Sequence, residues 1–174
     1  LDLEKIGQLV NRFSNLTFNL AVASTCLTTK IDPKGDYFQG ALAGAKLVNP
    51  VNPHLRTEDP NAAVAAWESA DEINEECFQL VDLVKEAASQ GVIISIENSG
   101  LTIGAMHVLV NAVRERLNDN EKEYLGICPD PTNQLRRHKD SNPLAELNEL
   151  DLNMIKLVHY KQARNGEGIT TVDD

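Results

Sequence analysis

Val92–Asn98, VIISIEN, is the stretch that decides the fold. Successive side chains of a strand point to opposite faces, so Val92, Ile94 and Ile96 make one wholly aliphatic face while Ile93, Ser95 and Glu97 make the other. An aliphatic face of this kind is what a strand presents where helices cover it, as in a parallel sheet. Glu97 then stands on the uncovered side at the carboxyl end of the strand, where parallel α/β folds build their sites.

Two further runs repeat the pattern. YLGICPD (Tyr124–Asp130) and MIKLVH (Met154–His159) are also β-forming and also end on a metal-capable side chain. Asp130 lies 33 positions after Glu97, and His159 lies 29 after Asp130. Each interval is close to one strand, one helix and a return loop. The period predicts neighbouring parallel strands that deliver Glu97, Asp130 and His159 to one end of a β/α barrel. Parity supports it at Asp130, which shares its side with Cys128 and Gly126 while Ile127 and Leu125 lie opposite. From His159, Leu157 and Ile155 are expected to point the same way, and Lys161 too if the strand continues.

Working outward, Leu3, Ile6, Leu9, Val10 and Phe13 have helical spacing, and Asn19–Thr25 reads as a strand. AKLVNP (Ala45–Pro50) reads as a short strand ending in Asn49, and VNPHLRTED as the loop after it. Asp59 with Pro60 is a helix start, and apolar residues through Trp67, Ile73, Leu80 and Val84 predict one long helix up to Gly91. A helix over about 103–117 and a short one near 144–150 complete the alternation. Five strands result, fewer than the eight of a closed barrel. A chain that starts at Leu1 and stops soon after His159 is expected to be a single, incomplete barrel domain over 1–174, without the first strands and the last. A five-stranded doubly wound sheet is the competing architecture, and it too binds ligands at the strand carboxyl ends.

Composition narrows the function classes. The 174 residues are 42% hydrophobic, with a formal charge of -10 and a pI near 4.8. That acidity disfavours nucleic acid and anionic lipid as partners. No apolar run approaches the roughly 20 residues of a membrane span, and no basic start leads into an apolar signal core, so a cytoplasmic location is the expectation. Cys26, Cys77 and Cys128 are an odd number without paired-motif spacing, which indicates neither a disulfide framework nor a cysteine zinc site. The compact basic cluster Arg136, Arg137, His138 and Lys139 is read as a solvated loop, with an anion clamp as the sharper alternative.

The motifs GAKLVNP, IEN (Ile96–Asn98), PDPTN (Pro129–Asn133) and HYK (His159–Lys161) resemble those of the sugar phosphate isomerase/epimerase family with the xylose isomerase-like TIM barrel, over about residues 19–161. The family also includes inosose dehydratases and barrel-type apurinic endonucleases. The resemblance implies a (β/α)8 barrel holding a divalent metal (Mn, Zn, Mg or Co) on Glu, Asp, His and a second Glu from four successive strands. Glu97, Asp130 and His159 match the first three, and the fourth is expected beyond Asp174. It further implies proton transfer next to a substrate carbonyl through a metal-stabilised enediolate, with Glu97 both ligating and moving the proton. Asn49, His54, Asn133 and Lys161 are the candidate substrate contacts. Ser99 and Gln162 depart from the pattern, standing where relatives commonly have His and Asp.

The expected function is therefore isomerisation or epimerisation of a small sugar, sugar phosphate or polyol, with homo-oligomerisation through outer helices compatible with it. A dehydratase of a keto-polyol and a non-catalytic sugar-binding barrel are the alternatives. The endonuclease reading is weaker, because His54, His107, His138 and His159 form no obvious cluster in the sequence. Singly, Glu97 and Asp130 are as well explained as turn or helix-cap residues, and His159 as a core histidine; residue type, order and spacing together favour the shared metal site.

Overall fold

Gly91 fixes how the chain enters its central strand. The computed structural model describes residues 2–22, 30–58, 66–159, 161, 163–164 and 167–168. In it Gly91 has φ 71°, the left-handed conformation that only glycine adopts without a Cβ penalty. Gly91 N donates to Ala88 O and Val92 N to Ala87 O, both at 3.0 Å, the Schellman arrangement that ends a helix. The helix so ended, α3 (Leu80–Ser89), turns directly into β3 (Ile93–Glu97).

The elements before α3 are α1 (Leu3–Arg12), β1 (Leu20–Val22), α2 (Asp36–Val48) and β2 (His54–Glu58). After β3 come α4 (Ile103–Arg114), α5 (Asp119–Lys122), β4 (Leu125–Cys128), α6 (Pro131–Arg137) and α7 (Pro143–Asn148). A two-residue antiparallel ladder joins β5 (Ala163–Arg164) to β6 (Glu167–Gly168). The main sheet has four strands in the order β1-β2-β3-β4, all parallel. Every sequence neighbour is thus a spatial neighbour, without the reversal of order that marks the switch point of a doubly wound sheet.

One face of this sheet is apolar and covered. Leu55, Ile94, Ile96, Leu125 and Ile127 are at most 2% exposed and pack with Phe38 and Leu42 of α2, Leu80, Leu83 and Val84 of α3, and Met106, Leu109, Val110 and Val113 of α4. α4 starts on Thr102, whose Oγ1 accepts from Ala105 N at 3.0 Å, a side-chain N-cap. The opposite face carries His54, Arg56, Ser95, Glu97, Gly126 and Cys128, by strand parity and register.

Three expectations are corrected. Ala45–Pro50 is not a strand; its first four residues finish α2, and Asn49 caps that helix, donating its N–H to Ala45 O. Phe38, Ala41, Leu42, Ala45 and Val48 are all buried at helical intervals, a period too long to recognise in the four letters KLVN. Second, HLRTE is not loop but β2; its alternation was inverted, with His54 and Arg56 on the inner polar face. Third, no long helix runs from Pro60 to Gly91. Residues 59–65 lie outside the described residues, 66–69 are not helical, and two 3-10 turns at Ala70–Glu72 and Glu75–Gln79 precede α3. Asp71, Glu72, Glu75 and Glu76 crowd this segment with like charge, while Ile73 and Cys77 are buried in the core and Trp67 and Phe78 pack against it.

Of the expected strand at Asn19–Thr25, Leu20–Val22 forms β1 and residues 23–29 lie outside the described residues. Among the described residues of 154–161, one parallel bridge to the sheet is made, Ile155 to Ile127. Lys156 N donates to Ile127 O at 3.0 Å and His159 N to Pro129 O at 3.1 Å. Two steps along the β4 side therefore meet three steps on the other, a one-residue slip of the kind a β-bulge makes. The slip overturns the expected parity: Ile155 packs against the core, and His159 takes the position that Val158 would hold in a regular ladder, toward the polar face. Gly126 makes room for this segment, since a Cβ there would run into the Lys156 stem and Met154 O.

Candidate metal centre

Glu97, Asp130 and His159 come together at the carboxyl end of β3 and β4. Each offers one ligand atom, and these atoms all lie within 4.8 Å of one another. Glu97 is 2% exposed and Asp130 is fully buried. Burying two carboxylates is costly unless they are paired and hydrogen-bonded, so their partners define the site.

Both oxygens of Glu97 are engaged. Oε2 is ion-paired with the Arg56 guanidinium. Oε1 accepts from Asn133 Nδ2 at 3.1 Å and lies 2.9 Å from His159 Nδ1 and 3.6 Å from Lys161 Nζ. Arg56 opposes Ser95 in the sheet and reaches one layer up to Glu97 from inside the polar face.

Asp130 is the N-cap of α6, with Pro131 at the first turn as helix starts favour. Its Oδ1 accepts from Asn133 N at 3.0 Å. Its Oδ2 lies 2.5 Å from Lys161 Nζ and 3.9 Å from His159 Nδ1. Asn98, fully buried, clamps the Asp130 backbone from β3: Asp130 N donates to Asn98 Oδ1 at 2.6 Å, and Asn98 Nδ2 donates to Asp130 O at 3.0 Å. Thr132 Oγ1 donates to Lys161 O at 3.0 Å, docking the end of the His159 segment on α6. The cap that starts α6 and the ligand candidate are thus one residue, and Glu97 and Asp130 are tied to each other through Asn98 and Asn133.

The donor set fits a divalent ion. Two carboxylates and an imidazole from three elements are ligands such ions take, and the ligand atoms are already gathered. Cys128 is not among the gathered ligand atoms; burial foremost, reinforced by the Asp130 carboxylate, pushes its thiol up to about 11 against the opposing pull of Arg56 and Lys161.

Asn133 and Lys161 belong to this cluster, Lys161 also bonding Asn133 Oδ1 at 3.2 Å. His54 and Asn49 do not. His54 starts β2, about 13 Å of strand below Glu58 at the usual rise; it is buried, with Nε2 2.6 Å from Ser95 Oγ. Burial, then the nearby Lys156 charge, lowers its pKa below the ordinary imidazole value. Asn49 sits beyond the same end, accepting from Asn52 N at 3.1 Å and donating to Asn19 Oδ1 at 3.4 Å, a loop-capping role. Both stand at the amino-terminal edge of the sheet, away from Glu97.

The basic cluster is likewise apart. Arg136 and Arg137 close the last turn of α6, where basic residues complement the helix dipole. His138 Nε2 lies 2.9 Å from Gly100 O. Arg137, His138 and Lys139 border a cleft of about 770 Å³ with Trp67 and His107, which contains none of the three ligand candidates.

Sequence reasoning missed Arg56 and the clamping role of Asn98. The alternation His54-x-Arg56-x-Glu58 around Leu55 and Thr57 was the available signal for Arg56; Asn98 was visible only as a motif letter. No protein-family model matches the chain, and no curated protein matches it.

Proposed function

We propose that the chain is part of a xylose isomerase-like (β/α)8 barrel and that it acts as a divalent-metal-dependent isomerase or epimerase of a small sugar or sugar phosphate. The observation that carries this reading is the gathering of Glu97, Asp130 and His159, ligand atoms within 4.8 Å, from the end of β3, the turn after β4 and the segment bridged to β4. The unbroken strand order supports a barrel wall over a doubly wound sheet, in which the order would reverse.

Glu97, Asp130 and His159 would hold the metal. Bound there, a divalent ion supplies Lewis-acid polarisation of a substrate carbonyl and its neighbouring hydroxyl. The chain's own residues do the rest. Arg56 keeps Glu97 Oε2 compensated, and Asn133 and His159 orient Oε1. With Oε2 held by Arg56, Oε1 is the oxygen left to face the site, and it must shed one of its donors before it can ligate or take up a proton. Asn98 fixes Asp130 at the end of β4. Lys161, on the mouth side, meets the substrate.

Metal content after exhaustive dialysis and reloading with Mn, Zn, Mg and Co tests the reading, with an Asp130→Asn variant beside the parent. Asn caps a helix as well as Asp, so the variant should keep α6 while losing a charged ligand. Near-stoichiometric metal in the parent, lost in Asp130→Asn, together with metal-dependent exchange of the proton next to a ketose carbonyl, is the expected result. Absence of specific metal from the parent overturns the proposal. Water loss from a keto-polyol without isomerisation would reassign the same centre to a dehydratase.

A further inference from the structure

The two buried carboxylates of the centre already have two cations. Arg56 faces Glu97 and Lys161 faces Asp130, so the charges cancel. The two cations differ in freedom. Arg56 has 14% of its side chain exposed and rises from inside the polar face; Lys161 has 41% exposed and comes in from the mouth. Its ammonium lies 2.5 Å from Asp130 Oδ2 and 3.6 Å from Glu97 Oε1. Those two oxygens belong to the carboxylates that, with His159, make up the candidate donor set. A divalent ion and this ammonium compete for the same lone pairs, and at such separations two like charges repel strongly.

We propose that Lys161 is the centre's built-in competitor: a divalent ion binds Glu97, Asp130 and His159 only by expelling the Lys161 ammonium, which turns to the mouth and there receives an anionic group of the substrate. The inference rests on the metal reading above and sharpens it in two ways. It couples metal entry to a turn of the Lys161 side chain, whose main chain is held by Thr132 Oγ1 through Lys161 O. It also selects the substrate class. With the ion in place, Arg56 still on Glu97 and the Lys161 ammonium at the mouth, the centre stays net positive even beside a further carboxylate ligand, which favours a phosphate- or carboxylate-bearing sugar over a neutral one.

The test is Mn²⁺ titration by calorimetry of the dialysed protein and of Lys161→Met, which keeps the stem and removes the charge. The variant should bind Mn²⁺ about tenfold tighter or more, the lower end of the coupling found between close charges. In the parent, acetylation of Lys161 mapped by mass spectrometry should speed up when Mn²⁺ saturates the protein. Inorganic phosphate should bind the Mn²⁺-loaded parent and bind Lys161→Met several-fold more weakly. Equal or weaker Mn²⁺ binding by the variant, or acetylation indifferent to Mn²⁺, overturns the exchange while leaving the metal site standing. Phosphate binding unaffected by the substitution overturns the anion-receiving role. Mn²⁺ bound by neither protein removes the metal reading itself, and the exchange with it.

Discussion

Arg56 and Glu97 form an ion pair between neighbouring strands, with the Glu97 side chain 1% exposed and the Arg56 side chain 14%. The pair is what allows Glu97 to be ionised inside the polar face, since an isolated buried carboxylate is prohibitively costly. Removing one partner of such a pair strands the other's charge. Arg56→Met should therefore destabilise the fold by about 3–5 kcal/mol, read from urea unfolding. Adding Glu97→Gln to Arg56→Met should recover most of that loss, because the stranded charge is gone. Arg56→Met unfolding within about 0.5 kcal/mol of the parent, the scale of an ordinary surface change, would show that the pair does not hold the site.

Asn98 serves Asp130 through the main chain alone. Its side chain satisfies both the N–H and the carbonyl of Asp130 in a fully buried setting. Each buried polar group left unpaired costs about 1–3 kcal/mol. Asn98→Ala should thus lower stability by about 2–5 kcal/mol and weaken metal binding, since Asp130 is freed to shift. Asn98→Asp keeps the acceptor for Asp130 N but loses the donor to Asp130 O, so it should not rescue. Loss of stability with metal affinity unchanged would mean that α6 alone positions Asp130.

The strands that the sequence made legible were those with a clean aliphatic face. Val92, Ile94 and Ile96 identify β3, and Leu125 and Ile127 identify β4, because apolar burial against helices writes a period of two. From these the spacing of Glu97, Asp130 and His159 predicted a gathering that the fold makes. β2 stayed hidden because its charged residues face the interior: His54 meets Ser95 and Arg56 meets Glu97, so polar letters there marked the site rather than solvent. The local context of Asn49 was misjudged because α2 is built of small residues whose helical period shows only over its full length. His159 was placed at the right end for an incomplete reason. Straight parity would have set it beside Ile155, and the slip between Lys156 and His159 is a backbone event that no residue in the run announces.

Gly126 keeps the floor beneath that slip open. Any Cβ at 126 would meet the Lys156 stem and the Met154 carbonyl oxygen, and a backbone oxygen cannot step aside as a side chain can. Gly126→Ala should push the 154–159 segment off β4. The expected outcome is a stability loss of about 1–3 kcal/mol from overpacking, together with metal affinity reduced by about tenfold or more, because His159 moves with the segment. Differential scanning calorimetry and metal titration on one sample separate the two effects. An unchanged metal affinity would indicate that His159 is held by Pro129 O and Glu97 rather than by the segment below it.

His54 gives the fold an acid-sensitive spot remote from the centre. Its ring is buried against Ser95, and burial and then Lys156 depress its pKa in the folded chain. The unfolded chain takes up a proton at this residue near the ordinary imidazole value of about 6.5, before the folded chain does. Stability rises with pH wherever the unfolded state binds more protons. The contribution of His54 is therefore complete above about pH 6.5 and declines as pH falls from there toward the depressed folded value. His54→Gln keeps a hydrogen-bonding partner for Ser95 and removes the titration. Unfolding free energies measured from pH 7.5 down to 5 should fall more steeply for the parent than for the variant, and the curves should run parallel above pH 7. Parallel curves over the whole range would mean that the folded chain protonates His54 as readily as the unfolded one, and that Lys156 and burial do not hold the ring neutral.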